Sequence, residues 1–131
     1  MERQDIRIGG TGAEAALARS TVERLMSDAT PAYSAAVIED AKLLTTELVT
    51  NGILHGGLGR GDVIGLGIDA GPTSVRLEVT DAGPGFDLAD VRRRWRDDER
   101  GHWGLVLVNA ISDRWGVMDG GSTTVWFELD R

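Results

Sequence analysis

Thr46-Glu47-Leu48-Val49-Thr50-Asn51-Gly52-Ile53-Leu54-His55-Gly56 decides the reading of this chain, because a helix through it carries a carboxylate and an amide along an apolar side. At about 100° per residue, Glu47 lies within ~60° of Leu43, Leu44 and Leu54, and Asn51 is about 40° from Glu47. An unpaired carboxylate among apolar side chains costs several kcal/mol. Such a group is paired, protonated or turned toward a cavity that holds something it needs, and a ligand site meets that demand most simply. The other reading rotates the helix so that both groups reach water at its edge.

Working outward, this helix is predicted from about Ser34 to Leu54, with Gly56-Gly57 as its stop. Ahead of it, Thr11-Gly12-Ala13-Glu14 has the form of a capping box, and Leu17, Val22 and Leu25 keep helical spacing, so a first helix is expected over about 12 to 27. Beyond it, Ile64, Leu66 and Ile68, then Val75, Leu77 and Val79, alternate around Ala70-Gly71-Pro72-Thr73 as a hairpin does. The second strand runs directly into Asp81-Ala82-Gly83-Pro84-Gly85-Phe86. After a charged segment from Asp87 to Arg100, Leu105, Val108 and Ile111 mark one face of a short helix from Trp103 to Ser112. A closing hairpin joins Trp115 to Met118 with Thr123 to Leu129. The order predicts an α+β fold, a two-layer sandwich with helices on one face of a mainly antiparallel sheet and the other face without obvious cover.

With 131 residues the chain fits one domain with a single core, 1–131. No apolar run approaches the ~18 to 20 residues that span a bilayer, and Met1-Glu2-Arg3-Gln4-Asp5 lacks the basic start and apolar core of a secretion signal. A cytoplasmic protein without membrane contact is expected. The absence of cysteine excludes disulfides, thiolate zinc sites and thiol catalysis, and two histidines leave little for a histidine-rich metal site, so any metal is expected on oxygen ligands. A formal net charge of -7 argues against direct nucleic-acid binding.

Asp81-x-Gly83-x-Gly85 alone makes an ordinary turn at a strand end, and Gly101-His102-Trp103-Gly104 alone is a glycine loop whose N–H groups suit an anion. Together with the Glu47-x-x-x-Asn51 helix, and in this order, they are informative. The chain resembles the GHKL ATPase superfamily over nearly its whole length, most closely the small anti-sigma factor serine kinases of the RsbW/SpoIIAB type. Glu47 to Gly56 is similar to the N box, Asp81 to Phe86 to the G1 box, and Gly101-His102-Trp103-Gly104-Leu105 to the G2 box. Thr123 to Leu129 looks like the terminal strand.

The resemblance implies a Bergerat ATP-binding fold with ATP and Mg2+ as ligands. It makes Asn51 the Mg2+ ligand through its amide oxygen and Glu47, one turn earlier, the general base for an attacking hydroxyl. It gives Asp81 the adenine amine, with Thr123 in support, and lets Gly83 and Gly85 turn the chain under the base. Gly101, Gly104 and Leu105 would open a helix toward the phosphates. The segment from Asp87 to Trp103 corresponds to the lid over ATP, with Arg92, Arg93, Arg94, Arg96 and Arg100. Arg100 is assigned to the γ-phosphate. His55 either caps the helix or lies near the phosphates. His102-Trp103 and Gly52 depart from the commoner pattern, which bears on phosphate grip and helix stability but not on Glu47, Asn51 or Asp81. The four tryptophans, Trp95, Trp103, Trp115 and Trp126, are expected in core or interface.

The function implied is an ATP:protein serine/threonine phosphotransferase acting on an anti-anti-sigma (STAS-type) partner, with sequestration of a sigma factor as a further activity. A nucleotide-dependent regulatory binding module without phosphotransfer is the alternative. The resemblance also implies a homodimer, for which the uncovered sheet face and an outward, exposed Trp126 are the expected surface.

Overall fold

A computed structural model of the chain describes residues 1–9, 11–55, 62–81, 103–119 and 122–131, with 51–55, 81, 103, 104 and 119 described by backbone alone. The elements in order are β1 (Glu2–Arg7), α1 (Ala13–Ser27), α2 (Ala35–His55), β2 (Val63–Ala70), β3 (Ser74–Asp81), α3 (Trp103–Ile111), β4 (Arg114–Asp119) and β5 (Thr123–Asp130). The five strands form one sheet in the order β1-β2-β3-β5-β4, antiparallel at every pairing. This is the expected α+β sandwich. Helix α1 lies over β1 and β2, α2 over β3 and β5, and α3 against α2 and β4.

Alternation in the strands puts Ile6, Ile64, Leu66, Val75, Leu77 and Phe127 on the helix side of the sheet, where each is almost fully buried. Val22, Met26, Leu44, Val49 and Val108 close the core from the helices. Full burial of each such side chain is worth ~1.5–3 kcal/mol, so this layer carries most of the folding energy. One polar atom among them is not satisfied: the Thr45 hydroxyl is fully buried and has no hydrogen-bond partner among the described residues.

Helix ends follow local chemistry, with one correction. Helix α2 begins as its sequence predicts, the Ser34 hydroxyl accepting the Val37 N–H at 3.3 Å while Ile38 N–H donates to the Ser34 carbonyl at 3.0 Å. Helix α1 does not use the expected capping box. Gly12 occupies its N-cap with φ 80°, a left-handed conformation that suits glycine, and makes no side-chain cap. Thr11 Oγ1 reaches only the Ala13 N–H, at 3.4 Å, and the buried Glu14 carboxylate accepts the Gly9 N–H instead. Lys42, the only lysine, lies in the seam between the two helices, 3.2 Å from Glu23 and 3.1 Å from Glu39. Its side-chain bonds to Glu39 and then Glu23 raise its pKa above the ordinary value.

The turn between β2 and β3 is tied to the start of α2. Tyr33 donates its hydroxyl to the Gly71 carbonyl at 2.6 Å, and the Arg131 guanidinium stacks 3.9 Å from the Tyr33 ring centroid. Burial raises the Tyr33 pKa, with Arg131 acting in the opposite direction. The protonated phenol required for that bond is therefore favoured.

Strand β1 was not anticipated, since in Glu2-Arg3-Gln4-Asp5-Ile6-Arg7 only Ile6 is buried and no apolar alternation shows. A charged edge strand of this kind discourages further pairing. Among the described residues no helix covers the opposite face of the sheet, but that face is furnished. Arg76 bonds Glu78 at 3.1 Å and lies 3.8 Å from Glu128, while Arg114 bonds Glu128 at 2.9 Å and also pairs with Asp130. Trp126 faces this side, in register with Glu78 and Gly116, as strand alternation requires. It is half-buried rather than exposed, because Arg76 sits 4.1 Å over its ring and the ring covers Gly116.

Two outcomes test this packing. Thr45→Val removes an unsatisfied hydroxyl at nearly constant shape and is expected to raise stability by about 1 kcal/mol, or the melting temperature by roughly 4 °C, in thermal unfolding. A lower melting temperature would show that the hydroxyl has a partner. Gly116→Ala places a Cβ 2.8–2.9 Å from the Trp126 indole, so a loss of about 1 kcal/mol and faster acrylamide quenching of tryptophan are expected. A melting temperature at or above that of the wild type would show that the ring slides aside at no cost.

Candidate functional site

Chain direction orders the described elements that carry predicted site residues. Helix α2 starts beside the β2–β3 turn, through Tyr33 and Gly71, and runs 21 residues, about 31 Å. Strand β3 runs 8 residues, about 27 Å, from that same turn. Glu47 and Asn51 lie in the C-terminal half of α2, and β3 ends on Asp81. There Asp81 is in register with Ile64 of β2 and Thr123 of β5. Helix α3 arrives from the opposite direction. Its C-terminal end is followed by Asp113, whose N–H donates to the Glu128 carbonyl at 2.9 Å, which anchors that end of the helix beside β5.

Glu47 does not lie on the apolar side of α2, where its helical position predicts it. The buried arc of α2 is Ile38, Ala41, Leu44, Thr45, Leu48 and Val49, while Leu43, one of the residues used to place Glu47 on an apolar side, is 41% exposed. Glu47 lies at the margin of the arc and is half-buried. The rotated-helix reading describes it correctly. Among the described residues it makes no ion pair and no hydrogen bond, which leaves its carboxylate available at the edge of the site. A helix margin suits a group that must meet a ligand and solvent alike.

Thr123 is buried, 4% exposed, at the start of β5, and Leu105 is buried in the core near the start of α3. Gly104 is the second residue of α3. Asn51 and Asp81 are placed by their backbones in α2 and β3, and their side chains lie outside the described structure, as does that of His55. Gly83, Gly85, Phe86, Arg92, Arg93, Arg94, Trp95, Arg96, Arg100, Gly101 and His102 lie outside the described residues. One feature at this end was not anticipated: the hydroxyls of Thr80 and Thr124 share a hydrogen bond of 2.7 Å across β3 and β5. Once the register is known, the adjacency of Thr80 to Asp81 and of Thr124 to Thr123 is the only signal in the sequence that points to it.

Of the elements that carry the motifs, β3 ends on Asp81 in register with Thr123, the first residue of β5, and α3 packs against α2. Residues 11–129 match the histidine kinase-like ATPase domain, and the chain belongs to that family, within the GHKL superfamily. Domains of this family bind ATP, usually with Mg2+, and are of the kinase or ATPase type. Among curated proteins no match was found. No helix among the described residues is long and apolar enough to cross a membrane.

The marginal position of Glu47 predicts that Glu47→Gln changes unfolding free energy by no more than about 0.5 kcal/mol in urea denaturation. A loss above ~2 kcal/mol would mean that the carboxylate is held by structure rather than left to a ligand.

Proposed function

We propose that this chain is an ATP-dependent serine/threonine protein kinase of the anti-sigma factor type, which phosphorylates a STAS-type anti-anti-sigma protein. The observation that carries the reading is the half-buried Glu47 carboxylate, one helical turn before Asn51, which makes no ion pair or hydrogen bond among the described residues. In a site whose only task were to hold nucleotide, a carboxylate beside the phosphates would add repulsion. As a general base it has a use: it accepts the proton of the partner's serine or threonine hydroxyl as that oxygen attacks the γ-phosphorus of ATP, with ADP leaving.

The donors fit a hard cation, since the Asn51 amide offers one oxygen and Mg2+ readily keeps waters and phosphate oxygens for the rest. Bound there, Mg2+ would neutralise phosphate charge. Asp81 would accept the adenine amine with Thr123 in support, Gly83 and Gly85 would turn beneath the base, and Gly101, Gly104 and Leu105 would bring the start of α3 to the phosphates. Arg100 would meet the γ-phosphate. Phosphate on the STAS-type partner would add charge at the interface and weaken it, freeing this protein to hold a sigma factor. A homodimer acting in the cytoplasm completes the proposal.

Calorimetry with ATP and ADP, with and without Mg2+, is the first test. Saturable binding by the wild type that weakens at least tenfold in Asp81→Asn is expected, and no binding by the folded wild type would end the kinase reading. In a radiolabelling assay with STAS-type proteins, Glu47→Ala should keep ATP affinity while labelling falls roughly 10²- to 10⁴-fold. Binding of ATP and partner without any labelling by the wild type would favour the alternative, a nucleotide-dependent binding module.

A further inference from the structure

We infer that the Thr80–Thr124 hydroxyl pair is a positioning device for base recognition, holding the last step of the β3–β5 ladder at the spacing adenine requires; this rests on the ATP-binding reading above. The two threonines face each other in register one step before Asp81 and Thr123, and their hydroxyls are 2.7 Å apart and half-buried. Asp81 is the last residue of β3 and Thr123 the first of β5. Strand ends fray unless something beyond the backbone ladder holds them, and a directly opposed threonine pair does so.

The surroundings single out the hydroxyls rather than the shape of the side chains. On the β2 side of Thr80 stands Gly65, where an added Cβ would come no closer than 3.6 Å to the Thr80 Cβ, an ordinary contact. Packing from that side therefore does not dictate the Thr80 rotamer. On the β4 side, Met118 is in register with Thr124 and is largely exposed. Other rows on this face of the sheet are joined between strands by the ion pairs Arg3–Glu78, Arg76–Glu128 and Arg114–Glu128. In this row, among the described residues, the one side-chain link between strands is the hydroxyl pair.

Valine keeps the branching and strand preference of threonine and removes only the hydrogen bond. Thr80→Val, Thr124→Val, the double variant and Thr80→Ser are compared for ATP and for inosine triphosphate, which lacks the exocyclic amine that Asp81 would read. Each valine variant is expected to weaken ATP roughly five- to tenfold while inosine triphosphate stays within about twofold of the wild type. The double variant should match the singles, because both remove one shared bond, and Thr80→Ser should restore ATP affinity. Unchanged ATP affinity in the valine variants, or equal losses for both nucleotides together with a lower melting temperature, would overturn the inference while leaving ATP binding intact. If the wild type itself binds no ATP, the functional reading fails first and takes this one with it.

Discussion

The polarity of α2 against the sheet is the constraint from which the site follows. The Tyr33 hydroxyl on the Gly71 carbonyl fixes where that helix begins, and Arg131 strengthens the same corner by stacking on Tyr33 and donating to the Ala32 and Gly71 carbonyls. From that corner run both α2, about 31 Å long, and β3, about 27 Å long. Glu47 and Asp81, 34 residues apart in the sequence, lie in the later part of that helix and that strand. The net worth of a single buried hydrogen bond is about 1 kcal/mol, so the corner matters for geometry more than for stability.

How much of this was legible in the sequence depended on whether a residue's surroundings are local. Both hairpins and the three helices among the described residues are readable, because alternation and helical spacing are written within a few residues of each other. Strand β1 was not, since an edge strand with one buried residue has no apolar period to detect and gains its place only by pairing with β2. The capping box expected at Thr11 does not form, because Gly12 takes the N-cap and Glu14 accepts the Gly9 N–H, beyond the range that the motif considers. The side of α2 that meets the core was misjudged by one edge. Leu43 looked like core and is not, and only tertiary packing decides which of several leucines is buried. The motifs that define the family were visible in order and spacing, whereas the Thr80–Thr124 bond needed the β3–β5 register, which spans 44 residues.

The two faces of the sheet divide the work. One face holds the apolar core and, at its end, the candidate site. The other has no helix over it among the described residues, and its charges are paired across strands instead, with Trp126 lying between Arg76 and Gly116. Exposed ion pairs of this kind add little stability individually. They do favour one register, since a one-residue slip of β5 would turn Glu128 to the apolar face, away from Arg76 and Arg114. The ladder that positions Asp81 beside Thr123 is thus specified from both sides of the sheet.

Lys42 carries a consequence of a different kind. It supplies the sole side-chain amine of the chain and stands between Glu23 of α1 and Glu39 of α2. Acylation of that nitrogen would remove the one cation and leave two carboxylates confronting each other across the helix seam, turning attraction into repulsion. Amine-directed chemistry therefore has one side-chain address on this molecule, and that address reports on how closely the two long helices are held.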